Sequence, residues 1–169
     1  MVLEKLGPPP SDQERPESVK LKVGFERLSA IAHEMRYLAG RQQAEVGGNY
    51  LPYAPDWDTY LAYERAGSCN AWTARTIESK VLVGYVIWIT TRGLHSVDTI
   101  FASADLVYLA PEWRDGMTGY KLLKSAVAAI SPKVGIVKVE TNDLYEGGRM
   151  GVLLKRLGFE RIGSIYVHR

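Results

Sequence analysis

Residues 81–89, read as Val-Leu-Val-Gly-Tyr-Val-Ile-Trp-Ile, are the longest apolar run in the chain. Side chains of a strand alternate between its two faces, so a run that is apolar throughout must be covered on both. The run falls well short of the ~18 apolar residues that would suggest a membrane span. It therefore predicts a central strand with helices packed above and below it, which narrows the fold to an α/β architecture. The N-terminal stretch lacks the apolar core of a secretory signal, so a soluble, cytoplasmic protein with no membrane partner is expected.

The helices that would cover this strand can be read from their spacing. Leu28, Ile31, Ala32, Met35, Leu38 and Ala39 recur on one helical face, predicting a helix that ends near Gly40. Gly47, Gly48, Asn49 and Pro52 break the chain, and Asp56 is placed to cap a second helix with Gly67 just beyond its end. Leu123, Val127 and Ile130, with Leu122, Ala126 and Ala129 beside them, predict a helix over 117–130 that Pro132 stops. Met150, Leu153, Leu154 and Leu157 predict a last helix, with Gly158 as its C-cap.

Strands are expected at 19–24, 71–77, 81–91, 104–109, 134–141 and 162–167, with a hairpin turn at 78–80 and a loop at 93–96. The order is β-α-α-β-β-β-α-β-α-β. It describes a mixed α/β (α+β) sheet, mostly antiparallel, in which hairpins precede two helical crossovers. Residues 1–18, with Pro8-Pro9-Pro10 and a polar stretch behind them, read as a flexible tail that is partly disordered or docked on another surface. Residues 19–169 are then one domain, in keeping with a total length of 169.

Composition removes several functional classes. Lys and Arg number 21 against 19 Asp and Glu, a formal charge of +2, which gives no support to a strongly basic nucleic-acid clamp. Cys69 is the only cysteine, so an internal disulfide and a multi-cysteine zinc site are excluded. His33, His95 and His168 have no metal-ligand spacing, and no metal is expected.

The chemistry concentrates in residues 104–123. A strand at 104–109 runs through Pro111 into a turn holding Arg114, Gly116 and Gly119, and an amphipathic helix follows at once. The first turn of a helix carries free N–H groups and a partial positive charge, which suit a phosphate, and glycines let a ligand approach the backbone. By spacing alone the segment is either such a cradle or an ordinary strand-to-helix turn.

Two motifs here carry a resemblance. Leu109-Ala110-Pro111-Glu112-Trp113-Arg114, then Arg114-Asp115-Gly116-Met117-Thr118-Gly119 and Leu122-Leu123, resembles the acyl-CoA-binding motif of the GNAT superfamily of N-acyltransferases. That motif is a strand, an apolar-x-Pro-Glu-aromatic-Arg stretch, a turn of the form Arg/Gln-x-x-Gly-x-Gly/Ala, and a helix with a Leu-Leu pair. Downstream, Leu153-Leu154-Lys155-Arg156-Leu157-Gly158-Phe159-Glu160 resembles the family's closing helix-to-strand signature, and Asn142 matches an asparagine that usually follows the fifth strand. The element order agrees over residues 19–169. The sequence departs from the pattern at Met117, which stands where the turn's first glycine is expected, and at Leu154, where the family often has a thiolate-protonating tyrosine. Glu146-Gly147-Gly148 also lengthens the stretch between Asn142 and the last helix.

The resemblance implies direct transfer of an acetyl group from acetyl-CoA to a primary amine, in a cleft where two central strands splay. Backbone amides of Arg114, Asp115, Gly116, Met117, Thr118 and Gly119 would hold the pyrophosphate. The main chain at Leu109 would hydrogen-bond the thioester or the pantetheine arm, and Asn142 would help bind the cofactor. Asp105 lies where some members carry a general-base glutamate. Burial there would raise its pKa; alternatively it pairs with a neighbour and does no chemistry. Tyr145 or Tyr166 would stand in for the absent helix tyrosine, although Tyr145, like Glu140, equally suits a place on the rim of the cleft. Tyr50, Tyr53 and Trp57, in an aromatic stretch with two carboxylates, would form the acceptor wall together with Glu34 of the first helix, although Trp57 and Tyr60 equally suit a role anchoring the loop.

The implied acceptor is a small-molecule or peptide amine. Two other readings stay open: a nucleic-acid base, as in the Mom-type bacteriophage relatives, or a non-catalytic binding module of the same fold. Members are often homodimers. Cys69 and His33 read as spectators, His95 as a second base or an incidental loop residue, and Glu140 as a cleft or a rim residue.

Overall fold

The apolar run forms the middle of the sheet. The computed structural model describes residues 20–47, 54–114, 117–141 and 148–163. Among these, five strands lie side by side in chain order: β1 (Leu21–Glu26), β2 (Cys69–Thr76), β3 (Leu82–Gly93), β4 (Ser96–Leu109) and β5 (Ile136–Val139). The first four are antiparallel, and β5 joins β4 in parallel. All side chains from Leu82 to Trp88 are buried, as a strand covered on both faces requires.

The cover comes from α1 (Leu28–Gln42), α2 (Trp57–Arg65), α3 (Thr118–Ile130) and α4 (Arg149–Arg156). Leu28, Ile31, Met35 and Leu38 of α1 pack with Tyr85 and Ile87 on one face, where Trp57, Tyr60 and Leu61 of α2 join them. Leu122, Leu123, Ala126 and Ile130 of α3 pack with Val83, Val86 and Trp88 on the other, joined by Leu153 and Leu157 at the end of α4. These are the stripes that helical spacing predicted.

The first helix lacks a capping side chain of its own at Arg27. The second helix supplies one: both carboxylate oxygens of Glu64 accept from the α1 amides, from Leu28 N–H and from Ser29 N–H at 3.1 Å. Orphan donors at a helix start are costly when left unpaired. Glu64→Ala is expected to lower stability by about 0.5–2 kcal/mol, the range for losing a helix cap. Urea unfolding checks this, and an unchanged midpoint would show that water replaces the carboxylate at no cost.

The structure corrects several sequence expectations. The fourth strand begins at Ser96, not 104, so the loop expected at 93–96 is the tight end of a hairpin. A Cβ on Gly93 would overlap the Phe101 ring, so this glycine makes room for a cross-strand aromatic and does not mark a loop. The first helix runs through Gly40 to Gln42 and passes into a π-helical turn, Gln43–Gly47. Gln42 explains the continuation: its amide accepts from Tyr85 Oη at 2.5 Å and donates to the Val107 carbonyl at 3.3 Å. The fifth strand is the shorter Ile136–Val139. Residues 161–163 have no regular secondary structure. The rest of the strand expected at 162–167, and the tail at 1–18, lie outside the described residues.

Candidate active site

The site begins with one extra residue. Ile87 pairs with Leu106 and Trp88 with Ala104, so Asp105 is a β-bulge in β4. The partnership with β5 ends at the same place, Ala104 facing Val139 being its last pair. Beyond the bulge β4 continues to Leu109 with no β5 residue paired to it. Ala110 N–H donates to the Val83 carbonyl at 2.8 Å, which fixes the hydrogen-bonding phase of the β3–β4 ladder. Main-chain groups of Leu106 and Tyr108 therefore point at β3, while those of Val107 and Leu109 point into the gap.

Both carbonyls on the gap side are capped. Gln42 Nε2 reaches the Val107 oxygen at 3.3 Å, and Arg114 Nε reaches the Leu109 oxygen at 2.8 Å. The Arg114 guanidinium forks onto Glu45, one arm at 2.8 Å, and lies 5.5 Å from the Tyr108 ring centre. Tyr108 Oη also donates to Glu45, at 3.3 Å. Burial first, and then the Glu45 charge, push this phenol up to about 12, so it stays protonated as a donor. Among the described residues, the carbonyl caps leave Val107 and Leu109 presenting N–H groups on this side, a surface suited to a ligand's carbonyl oxygen.

The start of α3 lies at the mouth of the gap. Among the described residues no side chain caps it, its N-cap residue being Met117, and its first turn has no acidic residue. A Cβ on Gly119 would sit 3.7 Å from Leu109 Cδ2 and 4.0 Å from Leu153 Cδ2, so the helix start lies directly against the end of β4. Its amides and its positive dipole end are thus brought beside the donor edge of β4, a combination that favours an anion.

Across the sheet face is a pocket of about 100 Å³ lined by Ala39, Gln42, Gln43, Pro55, Trp57, Tyr60 and Leu106. The bulge turns Asp105 toward this side, where its Oδ2 accepts from Tyr60 Oη. Trp57 and Tyr60 are ring neighbours at 5.7 Å, and the Arg36 guanidinium lies 5.7 Å from the centre of the Trp57 ring. Asp56 caps α2 as expected, accepting from Thr59 N–H at 3.0 Å.

Of the sequence-predicted residues, Asp105, Leu109, Arg114, Met117, Thr118 and Gly119 gather around the gap, and Trp57 lines the pocket. Two expectations need correction. Asp105 is exposed, not buried. Glu34 is held by a forked ion pair to Arg75 at 2.6 and 2.7 Å, on the β1–β2 side and away from the pocket. Arg75 also bonds Glu26 at 2.7 Å, so this cluster braces the edge of the sheet.

Tyr50, Tyr53, Asp115, Gly116, Asn142, Tyr145 and Tyr166 lie outside the described residues. Leu154 is buried in the α4 packing. Cys69 is buried as expected, and burial, with Glu64 and Asp105 nearby, pushes its thiol up to about 12, too high for a nucleophile near neutral pH.

Tyr60, Gln42 and Glu45 take a larger part in the site than their sequence context indicates. Tyr60 follows Trp57 by one helical turn, which was the available signal. Gln42 and Glu45 lie past Gly40, where the helix was expected to stop.

No family model and no curated protein matches the chain. Solved structures do. The ribosomal-protein-alanine N-acetyltransferase from Brucella melitensis biovar Abortus 2308 is 18% identical, with 89% of this chain and 99% of that one covered, at a TM-score of 0.64. An aminoglycoside acetyltransferase from an uncultured soil metagenomic sample is 12% identical, with 88% and 95% covered, at 0.68. The aminoglycoside acetyltransferase AAC(6')-Iy, solved with the bisubstrate analogue CoA-S-monomethyl-acetylneamine, is 14% identical, with 89% and 97% covered, at 0.61. The chain therefore has the GNAT-type N-acetyltransferase fold, as its motifs led us to expect.

Proposed function

We propose that the protein is an N-acetyltransferase that moves an acetyl group from acetyl-CoA to a primary amine. The observation that carries this reading is the gap beside β4, with the start of α3 at its mouth and the Val107 and Leu109 amides along its wall. The GNAT-type fold supports it, and the CoA-analogue complex of one neighbour supports the choice of donor. The diphosphate of CoA would lie on the α3 amides, its repulsion eased by the helix dipole. The pantetheine arm would follow β4, and the Val107 or Leu109 N–H would donate to the thioester oxygen.

The pocket at Trp57 and Tyr60 would receive the acceptor. The neutral amine attacks the thioester carbon, a C–N bond forms, and the C–S bond breaks. Asp105 takes the amine's proton through Oδ1 while Tyr60 holds Oδ2, and the departing thiolate is protonated to the CoA thiol from solvent. Leu154 has no proton to give and cannot serve as the acid.

Calorimetry with acetyl-CoA tests the first half, with one site per chain expected. Thiol release across a panel of aminoglycosides, amino sugars, polyamines and peptides with free N-termini tests the second. Release is expected only when an amine is present. Absence of CoA binding would overturn the proposal.

A further inference from the structure

From the end of α1 we infer that Glu45 is a positioning residue coupling the two substrate sites, so that cofactor binding stiffens the acceptor wall. The inference rests on the reading of α3 as a CoA site. Three side chains spaced along one short segment grip the stretch that leads into α3. Arg41 forks onto Glu112 at 2.9 and 3.0 Å, Gln42 holds the Val107 carbonyl, and Glu45 forks onto Arg114. Both charged residues of the Pro-Glu-Trp-Arg motif, Glu112 and Arg114, are thus paired with the same segment.

The pairings differ in consequence. Arg41–Glu112 is solvated, its side chains 36% and 49% exposed, and contributes little. Arg114–Glu45 is more enclosed, at 20% and 29%, and the same guanidinium holds the Leu109 carbonyl. Forked arginine–carboxylate geometry fixes orientation as well as distance. Whatever fixes the Arg114 guanidinium therefore fixes Glu45 as well. The same segment walls the acceptor pocket through Ala39, Gln42 and Gln43. The π-helical turn Gln43–Gly47 that carries Glu45 is an irregular backbone form of the kind that marks functional segments. Linkage requires that a cofactor which stiffens this wall be bound more tightly when an acceptor stiffens it first.

Hydrogen exchange of the full chain, with and without saturating CoA, tests this, with CoA affinity measured in parallel by calorimetry. In the wild type CoA is expected to slow exchange over residues 38–47 by about threefold or more. In Glu45→Ala, CoA still binds, within about tenfold of wild type, but the slowing over 38–47 disappears. Glu45→Gln keeps one acceptor for Arg114 and lies between; it carries the comparison if the alanine variant fails to fold. CoA bound to the wild type with unchanged exchange at 38–47, or slowing that persists in Glu45→Ala, would overturn the coupling alone. A wild type that binds no CoA would remove the enzyme reading and this inference together.

Discussion

Gly119→Glu is expected to abolish CoA binding and leave the fold intact. The position lies in the first turn of α3, where a carboxylate is favourable to the helix by about 0.3–1 kcal/mol and replacement of glycine removes a conformational penalty of similar size. The new Cβ would meet Leu109 and Leu153 at 3.7 and 4.0 Å, ordinary contact distances. The thermal midpoint should therefore hold or rise. Binding should behave oppositely. Like charges about 4 Å apart repel by roughly 4 kcal/mol at an effective dielectric near 20, close to a thousandfold in Kd. The carboxylate also competes for the amides that the diphosphate needs. Gly119→Ala separates charge from bulk, because it adds the same Cβ without the carboxylate; its affinity should stay within about tenfold of wild type. A glutamate variant that binds CoA normally, with its midpoint intact, would place the cofactor somewhere other than this helix end.

How much of this was legible in the sequence depended on the range of the forces involved. The stripe Leu28, Ile31, Met35, Leu38 and the run at 81–89 are local patterns that packing enforces, and both were read correctly. Gly93 resembles a loop residue in the sequence because its reason is a neighbour across the hairpin, the Phe101 ring, which no local pattern records. Gly40 failed as a helix stop for a related cause: Tyr85 and Val107, distant in sequence, hold Gln42 and favour continuation past it.

The candidate site divides in the same way. The helix start at Thr118 and Gly119 follows from glycine spacing and a change of period. The bulge that turns Asp105 toward Tyr60 exists only in the register between β3 and β4. Glu34 and Glu45 show the limit most clearly. Both are glutamates on the acceptor side of the chain, yet Arg75 takes one to the sheet edge and Arg114 brings the other to the gap. Only the partner, and not the residue type, distinguishes them.

Asp105→Asn should cut turnover by about a hundredfold, the lower end of what a positioned base contributes. The asparagine is matched in shape, and its carbonyl oxygen still accepts from Tyr60, so the bulge and the pocket survive. CoA affinity should remain within about twofold of wild type, since the diphosphate cradle is not involved. The variant loses a site for the proton, and solvent has to remove it. Tyr60→Phe provides the contrast. It removes the donor to Oδ2, leaving Asp105 charged but unoriented, and about a tenfold loss confined to kcat is expected from such positioning. Combining the two should cost little more than Asp105→Asn alone, because a group that only orients the base has nothing to orient once the base is gone. Additive losses would mean that Tyr60 meets the substrate itself. Full activity in Asp105→Asn would transfer the proton to water, and the bulge would then serve only to open the strands.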